Sequence, residues 1–238
     1  MRIAIQISGE FRFLHYTWHA FRDNILQTLG NEVDIFIHSW KRDNDGMGTF
    51  PFQGRGEWHT TVAVYSHTNA LRLYNPKAYE LENYEEKKDL HVLPRSMSMY
   101  YSIWRANEVR KDYAMKNNIH YDIVMRYRTD CVIHENPFLS IDVKDDILII
   151  PLSKNGKAVD GPVEQDSGSA YCDWLAWGTP KAMDIYCNTY LTWLQQPFHV
   201  MPESMLSINL KAHNITKETI LQRPTLDFYL VDIDGKAR

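Results

Sequence analysis

Residues 121–130 read YDIVMRYRTD. Ile123, Val124 and Met125 make the first half apolar enough to be a central strand of a sheet. Its end is charged instead, because Arg126, Arg128 and Asp130 alternate with Tyr127 and Thr129. Alternate residues of a strand share a face, so the two arginines and the aspartate are expected on one side. Three charges on one face of an apolar strand are costly to bury unless they pair with one another or meet a charged ligand. One reading is a structural Arg–Asp network. The other, which we prefer, is a site for a nucleotide diphosphate and its metal.

Outward from this strand the chain alternates strand and helix signals. Upstream, Met99, Ile103, Ala106, Val109 and Tyr113 fall on one face of a helix expected from about Ser96 to Lys116, ended by Asn117-Asn118. At the start of the chain, Ile3–Ile7 reads as a strand closed by the turn residues Ser8-Gly9-Glu10. Trp18, Phe21, Ile25 and Leu29 recur at helical spacing, Gly30 stands at the C-cap, and VDIFIH (Val33–His38) is a second strand. A β-α-β opening favours a parallel pair joined by a right-handed crossover. Asp43–Trp58 is rich in Gly, Asp and Arg and lacks periodicity. It is expected as a long loop, either a mobile active-site loop or a surface excursion. Short strands are expected at Thr61–Tyr65, Tyr79–Leu81 and Ile147–Ile150. Cys172–Trp177 reads as a strand leading into a helix started by Thr179-Pro180, a capping residue and a first-turn proline. That helix carries Met183, Tyr186, Tyr190 and Trp193, and a shorter one runs from Pro202 to about Asn214.

At 238 residues the chain suits one well-buried α/β domain rather than two. A net charge of −4 argues against a nucleic-acid or anionic-membrane binder, so any phosphate contact must be local. The aromatic share, with 7 Trp and 14 Tyr, suits both a core and a cleft that stacks sugars or bases. Cys131, Cys172 and Cys187 are odd in number and form no CxxC pair, which fits a reducing, cytoplasmic compartment. The opening MRIAIQISGEFRF is too short and too charged for a signal peptide or anchor, and no stretch reaches membrane-spanning length.

Ligands of open α/β sheets bind outside the carboxyl ends of the strands, so the residues that follow each strand are the candidates. After the first strand come Ser8, Gly9, Glu10 and Arg12. A small-residue turn exposes backbone N–H groups, and an arginine beside it can clamp a diphosphate. The bland alternative is an ordinary turn with a surface arginine; neither a GxxxxGK[ST] nor a GxGxxG motif is present. His38, at the second strand end, is either a ligand contact or a satisfied structural histidine. The later stretch VEQDSGSAYCDWLAWG supplies Glu164, Asp166 and Asp173. Asp173 directly precedes a strand-like segment and is expected to be held rigidly, as a general base requires.

Four stretches, IAIQISGEFR, VDIFIHSW, MYYSIWRANEVRKDY followed by YDIVMRYRTD, and DWLAWGTPKAMDIY, resemble a family of bacterial and viral glycosyltransferases in order and spacing. That family has the nucleotide-diphospho-sugar transferase (GT-A) fold, and the resemblance runs to about Tyr190. The Pro202-Glu203 helix looks like its C-terminal acceptor-side element. The resemblance implies a GT-A-like Rossmann-type three-layer α/β sandwich with a mostly parallel central sheet, in one domain. Its donor-binding part would end near residue 135 and its acceptor-side part would follow. It implies transfer of a hexosyl or pentosyl group from a UDP- or GDP-sugar to a glycan acceptor, in surface polysaccharide or glycoprotein glycan synthesis. Donor contacts fall to Ser8, Gly9, Arg12, His38, Tyr101, Arg126, Arg128 and Asp130, and acceptor contacts to Asp173, Trp177 and Glu203. Asp173 would be the catalytic base, and Asp130 the ligand of a Mn²⁺ or Mg²⁺ ion.

One departure matters: the Asp-x-Asp metal motif of such folds is reduced here to the single carboxylate of Asp130. A cation can still be held by one carboxylate with donor phosphates and water, or Arg126 and Arg128 can neutralise the leaving diphosphate without one. Two other classes stand beside the transferase. A sugar nucleotidyltransferase would want a glycine- and lysine-rich first loop, whereas SGEFR has one glycine and no lysine. A non-catalytic glycan-binding module would use the aromatic residues as stacking surfaces. A glycosidase is disfavoured, because no closely spaced carboxylate pair stands out.

Overall fold

Three isoleucines on one face and Ala4, Gln6 and Ser8 on the other, all buried, make β1 (Ile3–Ser8) the kind of strand that belongs in the middle of a parallel sheet. The computed structural model describes residues 1–29, 32–41, 45, 48–54, 57–87, 89–92, 95–138, 146–153, 171, 173–195, 202–216, 221–222 and 225–230. After β1, helix α1 (Leu14–Phe21) passes through a π-helical turn (Arg22–Leu26) into α2 (Gln27–Leu29) and returns the chain to β2 (Val33–Lys41). A hairpin follows, β3 (Gly48–Gly54) with β4 (Glu57–Val64), then α3 (His67–Tyr74) and β5 (Ala78–Asn83). A short α4 (Asp89–Val92) leads into the long α5 (Arg95–Asn117) and on to β6 (Ile123–Tyr127) and β7 (Cys131–Ile133). The last third holds β8 (Leu148–Ile149), β9 (Leu152–Ser153), β10 (Leu175–Gly178), α6 (Pro180–Cys187), α7 (Thr189–Gln195) and α8 (Pro202–Ala212). It ends in β11 (Leu221–Gln222), β12 (Thr225–Leu226) and β13 (Phe228–Leu230).

The main sheet has seven strands in the order β5-β2-β1-β6-β10-β8-β11. Only β10 runs against the rest, being antiparallel to both β6 and β8. The chain first builds outward from β1 through β2 to β5, then crosses back along α5 to lay β6 on the other side of β1. The strand order therefore reverses between β1 and β6. This is the mostly parallel, Rossmann-type α/β sandwich expected from the sequence.

Register decides which residues meet each covering layer. Gln6 stands beside Arg126, and Ser8 beside His38. This face carries α5: Phe36 packs on Tyr113, and Gln6 donates to Asn107, which with Arg110 reaches Asp184 of α6. The opposite face carries Tyr127, against which Phe21 of α1 packs, with Tyr74 of α3 completing the cluster. Each such fully buried aromatic contributes roughly 1.5–3 kcal/mol through burial alone. Helix α5 ends as its sequence suggests: Asn118 takes a left-handed φ of 51° while Ile119 N–H returns to the Ala114 carbonyl.

Several expectations change. Much of Asp43–Trp58 is not an irregular loop but the β3–β4 hairpin, with Pro51 at a register shift between Phe50 and Phe52 where no ladder N–H is needed. Helix α3, at eight residues, was too short for a repeating apolar stripe to be read. The helix from Pro180 breaks at Asn188 into α6 and α7. Thr179 does not cap it; its hydroxyl is bonded to Asp146 instead. Gly30 and Cys172 lie outside the described residues.

Gly178 ends β10 against the backbone of Ile147, and an added Cβ would press into the Ile147 carbonyl closer than real Cβ contacts come. Gly178→Ala should therefore lower stability by about 1–3 kcal/mol in urea unfolding, with the slope of the transition unchanged.

Candidate functional site

The reversal point of the sheet lies between the ends of β1 and β6, where ligands of such sheets bind. Gly9 follows β1 with φ 96°. Its N–H reaches both the His38 carbonyl at 3.1 Å and the Ser102 hydroxyl at 2.9 Å. A Cβ built there meets nothing within 4 Å, so the turn borders open space. Ser8 Oγ is buried with no hydrogen-bond partner among the described residues. The turn is tied to the end of β6 through Thr129. Its hydroxyl donates to the Glu10 carbonyl at 2.9 Å and accepts from Arg12 N–H at 3.3 Å.

Beyond β6 the charged residues separate. Arg128 places its guanidinium fork on both oxygens of Asp130, at 2.9 and 2.8 Å. Arg12 approaches the same carboxylate at 3.5 Å. Burial would weaken the Arg128 cation, but Asp130, and after it Asp173, hold its pKa above the ordinary value. Asp173 therefore lies near enough to act on the same guanidinium electrostatically. Arg126 behaves differently. It lies in the last regular turn of the pleat, on the α5 face, 1% exposed. One Nη donates to the Trp174 carbonyl at 3.3 Å, while its Nε has no acceptor among the described residues. The single stripe expected from alternation is not formed, because the strand ends at Tyr127 and Arg128–Asp130 is a turn. The charges nevertheless meet at one end of the sheet, since Trp174 adjoins Asp173.

Asp130 was expected to hold a metal, yet its surroundings have the opposite character. Both its oxygens lie in the Arg128 fork, and Arg12 stands beside it. Two guanidiniums contact Asp130, and among the described residues it belongs to no group of three side chains able to ligate a cation.

His38 and Tyr101, the other expected donor contacts, form a second cluster on the β5 side of the same turn. His38 is wholly buried, with Nδ1 at 2.7 Å from the Ser102 hydroxyl. Burial, helped by Arg105 and Lys87, lowers its pKa to about 3, so the imidazole is neutral. Tyr101 lies edge-on to His38 and donates its hydroxyl to Glu82 at 2.7 Å. Burial, then Glu82, hold that hydroxyl well above its ordinary pKa. Glu80 takes the fork of Arg105 at 2.9 Å on each oxygen. A ring nitrogen of His38 and one oxygen each of Glu80 and Glu82 lie within 4.8 Å of one another. Among the described residues this trio is the grouping able to hold a metal ion.

Sequence reasoning missed Glu80, Glu82, Ser102, Arg105 and Thr129. A signal for the first two was present: in AYELEN the acids alternate with Tyr79 and Leu81, which puts both on one face of an edge strand. Trp177, expected beside the acceptor, is 1% exposed opposite Met125 in mid-sheet, against Phe138. It offers no open ring face. Glu203 lies in α8, its side chain outside the described residues, as are Glu164 and Asp166.

The fold and these two clusters define a mostly parallel α/β protein with a charged strand-end site. No family model matches the chain, and no curated protein does. Among solved structures, that of an active-site mutant of LgtC is similar over 94% of this chain and 72% of its own, at 11% identity and a TM-score of 0.49. A likeness of that size carries no functional weight. Among the described residues no helix is long and apolar enough to cross a membrane.

Removing one partner of a buried ion pair leaves the other charge uncompensated. Asp130→Asn should thus lower unfolding stability by roughly 3–5 kcal/mol. The double variant Arg128→Met/Asp130→Leu, compared by chemical denaturation, should recover most of that loss.

Proposed function

We propose that this chain is a glycosyltransferase that moves a sugar from a nucleotide-diphosphate donor to a glycan acceptor. The observation that carries the reading is the excess of guanidinium over carboxylate at the sheet's reversal point. Arg12, Arg126 and Arg128 stand against Asp130 and Asp173, beside a turn whose glycine opens on free space. A nucleoside diphosphate leaving group needs such a preorganised positive environment, and backbone N–H groups and arginines supply it without reorganisation. Arg126 has spare donor capacity, because its Nε has no acceptor among the described residues.

Asp130 serves in this reading as the anchor that holds Arg12 and Arg128 in place. In an inverting transfer, the acceptor hydroxyl oxygen bonds to the anomeric carbon as the bond from that carbon to the diphosphate oxygen breaks. The hydroxyl proton passes to the Asp173 carboxylate, and the electron pair leaves on the diphosphate, where the arginines meet it. Asp173 is 3% exposed and stands next to the rigid β10, which fixes its position. In this reading the donor part is about residues 1–135 and the acceptor part the remainder. Its two described cysteines, Cys131 and Cys187, are buried thiols outside any disulfide among the described residues, which suits work in a reducing compartment on surface polysaccharide or glycoprotein glycans.

The test is a panel of UDP- and GDP-sugars with glycan acceptors, scored by release of nucleoside diphosphate and by thermal shift. Stabilisation by a nucleoside diphosphate and turnover of at least one donor are expected. Release of pyrophosphate from a nucleoside triphosphate would assign a nucleotidyltransferase, and glycan binding that survives Arg126→Met with no donor binding would assign a binding module. Asp173→Asn should cut turnover by about 10²-fold or more while leaving nucleoside diphosphate affinity within roughly threefold.

A further inference from the structure

We propose that His38, Glu80 and Glu82 form a binding site for a divalent transition-metal cation, with Zn²⁺ the best match. This goes beyond the transferase reading and does not rest on it. The three residues come from two neighbouring strands: His38 stands in register with Glu80, and Glu82 lies two residues on, on the same face. Their ligand atoms already lie within 4.8 Å of one another. Around a zinc ion with bonds of about 2.0–2.2 Å, such atoms sit roughly 3–3.5 Å apart, so small side-chain rotations close the site.

The independent observation is the imidazole. His38 is fully buried, and its Nε2 has no hydrogen-bond partner among the described residues. A buried polar atom without a partner calls for an explanation, and an ion is one of the few available. The surrounding bonds accommodate the tautomer with the proton on Nδ1. Gly9 N–H donates to the Ser102 hydroxyl oxygen, and that hydroxyl's own proton is directed to the His38 carbonyl at 3.4 Å. The oxygen is then left to accept from Nδ1–H, so Nε2 keeps its lone pair. Nδ1 is engaged with Ser102, so Nε2 is the ring nitrogen left to a ligand. A histidine that donates through one nitrogen to a fixed acceptor and presents the other as a lone pair is arranged as a metal ligand.

The carboxylates are oriented in the same manner. Arg105 holds Glu80 and the Tyr101 hydroxyl holds Glu82, each with contacts of 2.7–2.9 Å. A carboxylate offers about four lone-pair sites, so these partners leave room for a cation and act as its outer shell. Imidazole with two carboxylates selects Zn²⁺ over Mg²⁺, which prefers oxygen and water alone. Unlike the Asp130 end, this cluster has two carboxylates against the one arginine that contacts them.

The experiment uses the full chain after chelator treatment, titrated with Zn²⁺, Mn²⁺ and Mg²⁺ by calorimetry and thermal shift. One Zn²⁺ per chain is expected with micromolar or tighter affinity, weaker Mn²⁺ binding, and little response to Mg²⁺. His38→Gln and, separately, Glu80→Gln/Glu82→Gln should each weaken Zn²⁺ at least tenfold. Loss of the exposed His120 (His120→Gln) should change affinity less than twofold. Circular dichroism confirms that each variant is folded, and the conservative Glu82→Gln alone serves if the buried His38 substitution is not. Co²⁺ bound in place of Zn²⁺ should lose its imidazole-dependent visible spectrum in His38→Gln. Zn²⁺ affinity unchanged in the double glutamine variant, no binding below millimolar, or preference for Mg²⁺ would each overturn the assignment. Nucleoside diphosphate binding is measured in parallel with chelator present, so failure of the metal site is separable from failure of the transferase reading.

Discussion

A carboxylate buried at the end of a central strand destabilises a fold by several kcal/mol unless a cation stands against it. Asp130, 2% exposed, meets that constraint with the fork of Arg128 and the nearby Arg12. Much of the site's architecture depends on this arrangement. It joins the turn after β1 to the turn after β6, and Thr129 adds the hydrogen bonds that keep the two together. With Asp130 occupied in this way, two arginines at the end of the sheet are held in place. The same carboxylate that looks like a metal ligand in a linear reading is therefore an organiser of cations.

The turn at Ser8–Gly9 sits between two unlike environments. On the β6 side, arginines predominate and a buried Nε of Arg126 lacks an acceptor. On the β5 side, Glu80 and Glu82 gather around His38, with Tyr101 and Arg105 orienting them. Ser102 links the two, since it bonds to both Gly9 and His38. An anion and a cation can thus each find a site within one strand end without sharing ligands. This separation is a consequence of the sheet order, which sends β2 and β5 to one side of β1 and β6 and β10 to the other.

Most of the sheet was legible because its strands are short, apolar and bounded by turn residues. β1, β2, β5, β6 and α5 fall where periodicity places them, within the few residues by which element ends usually shift. The β3–β4 hairpin was not legible, since glycine and proline in GTFPFQG point to a loop until a bulge is known to accept the proline. Nor was the break between α6 and α7, where a continuous apolar stripe concealed a change of direction.

From residues alone, the protein's class of fold and its charged strand ends were determined: alternation and turn chemistry are local, and a window of ten residues contains them. Which charges meet was decided only by the tertiary structure. Arg126 and Arg128 are two apart in sequence, yet the strand ends between them, so one goes to the helix-covered face and the other to the turn with Asp130. His38, Glu80 and Glu82 come together because β2 and β5 pair in parallel register across about forty residues of intervening chain. Pairing register is a non-local property, fixed by packing of the whole sheet, and no local pattern encodes it.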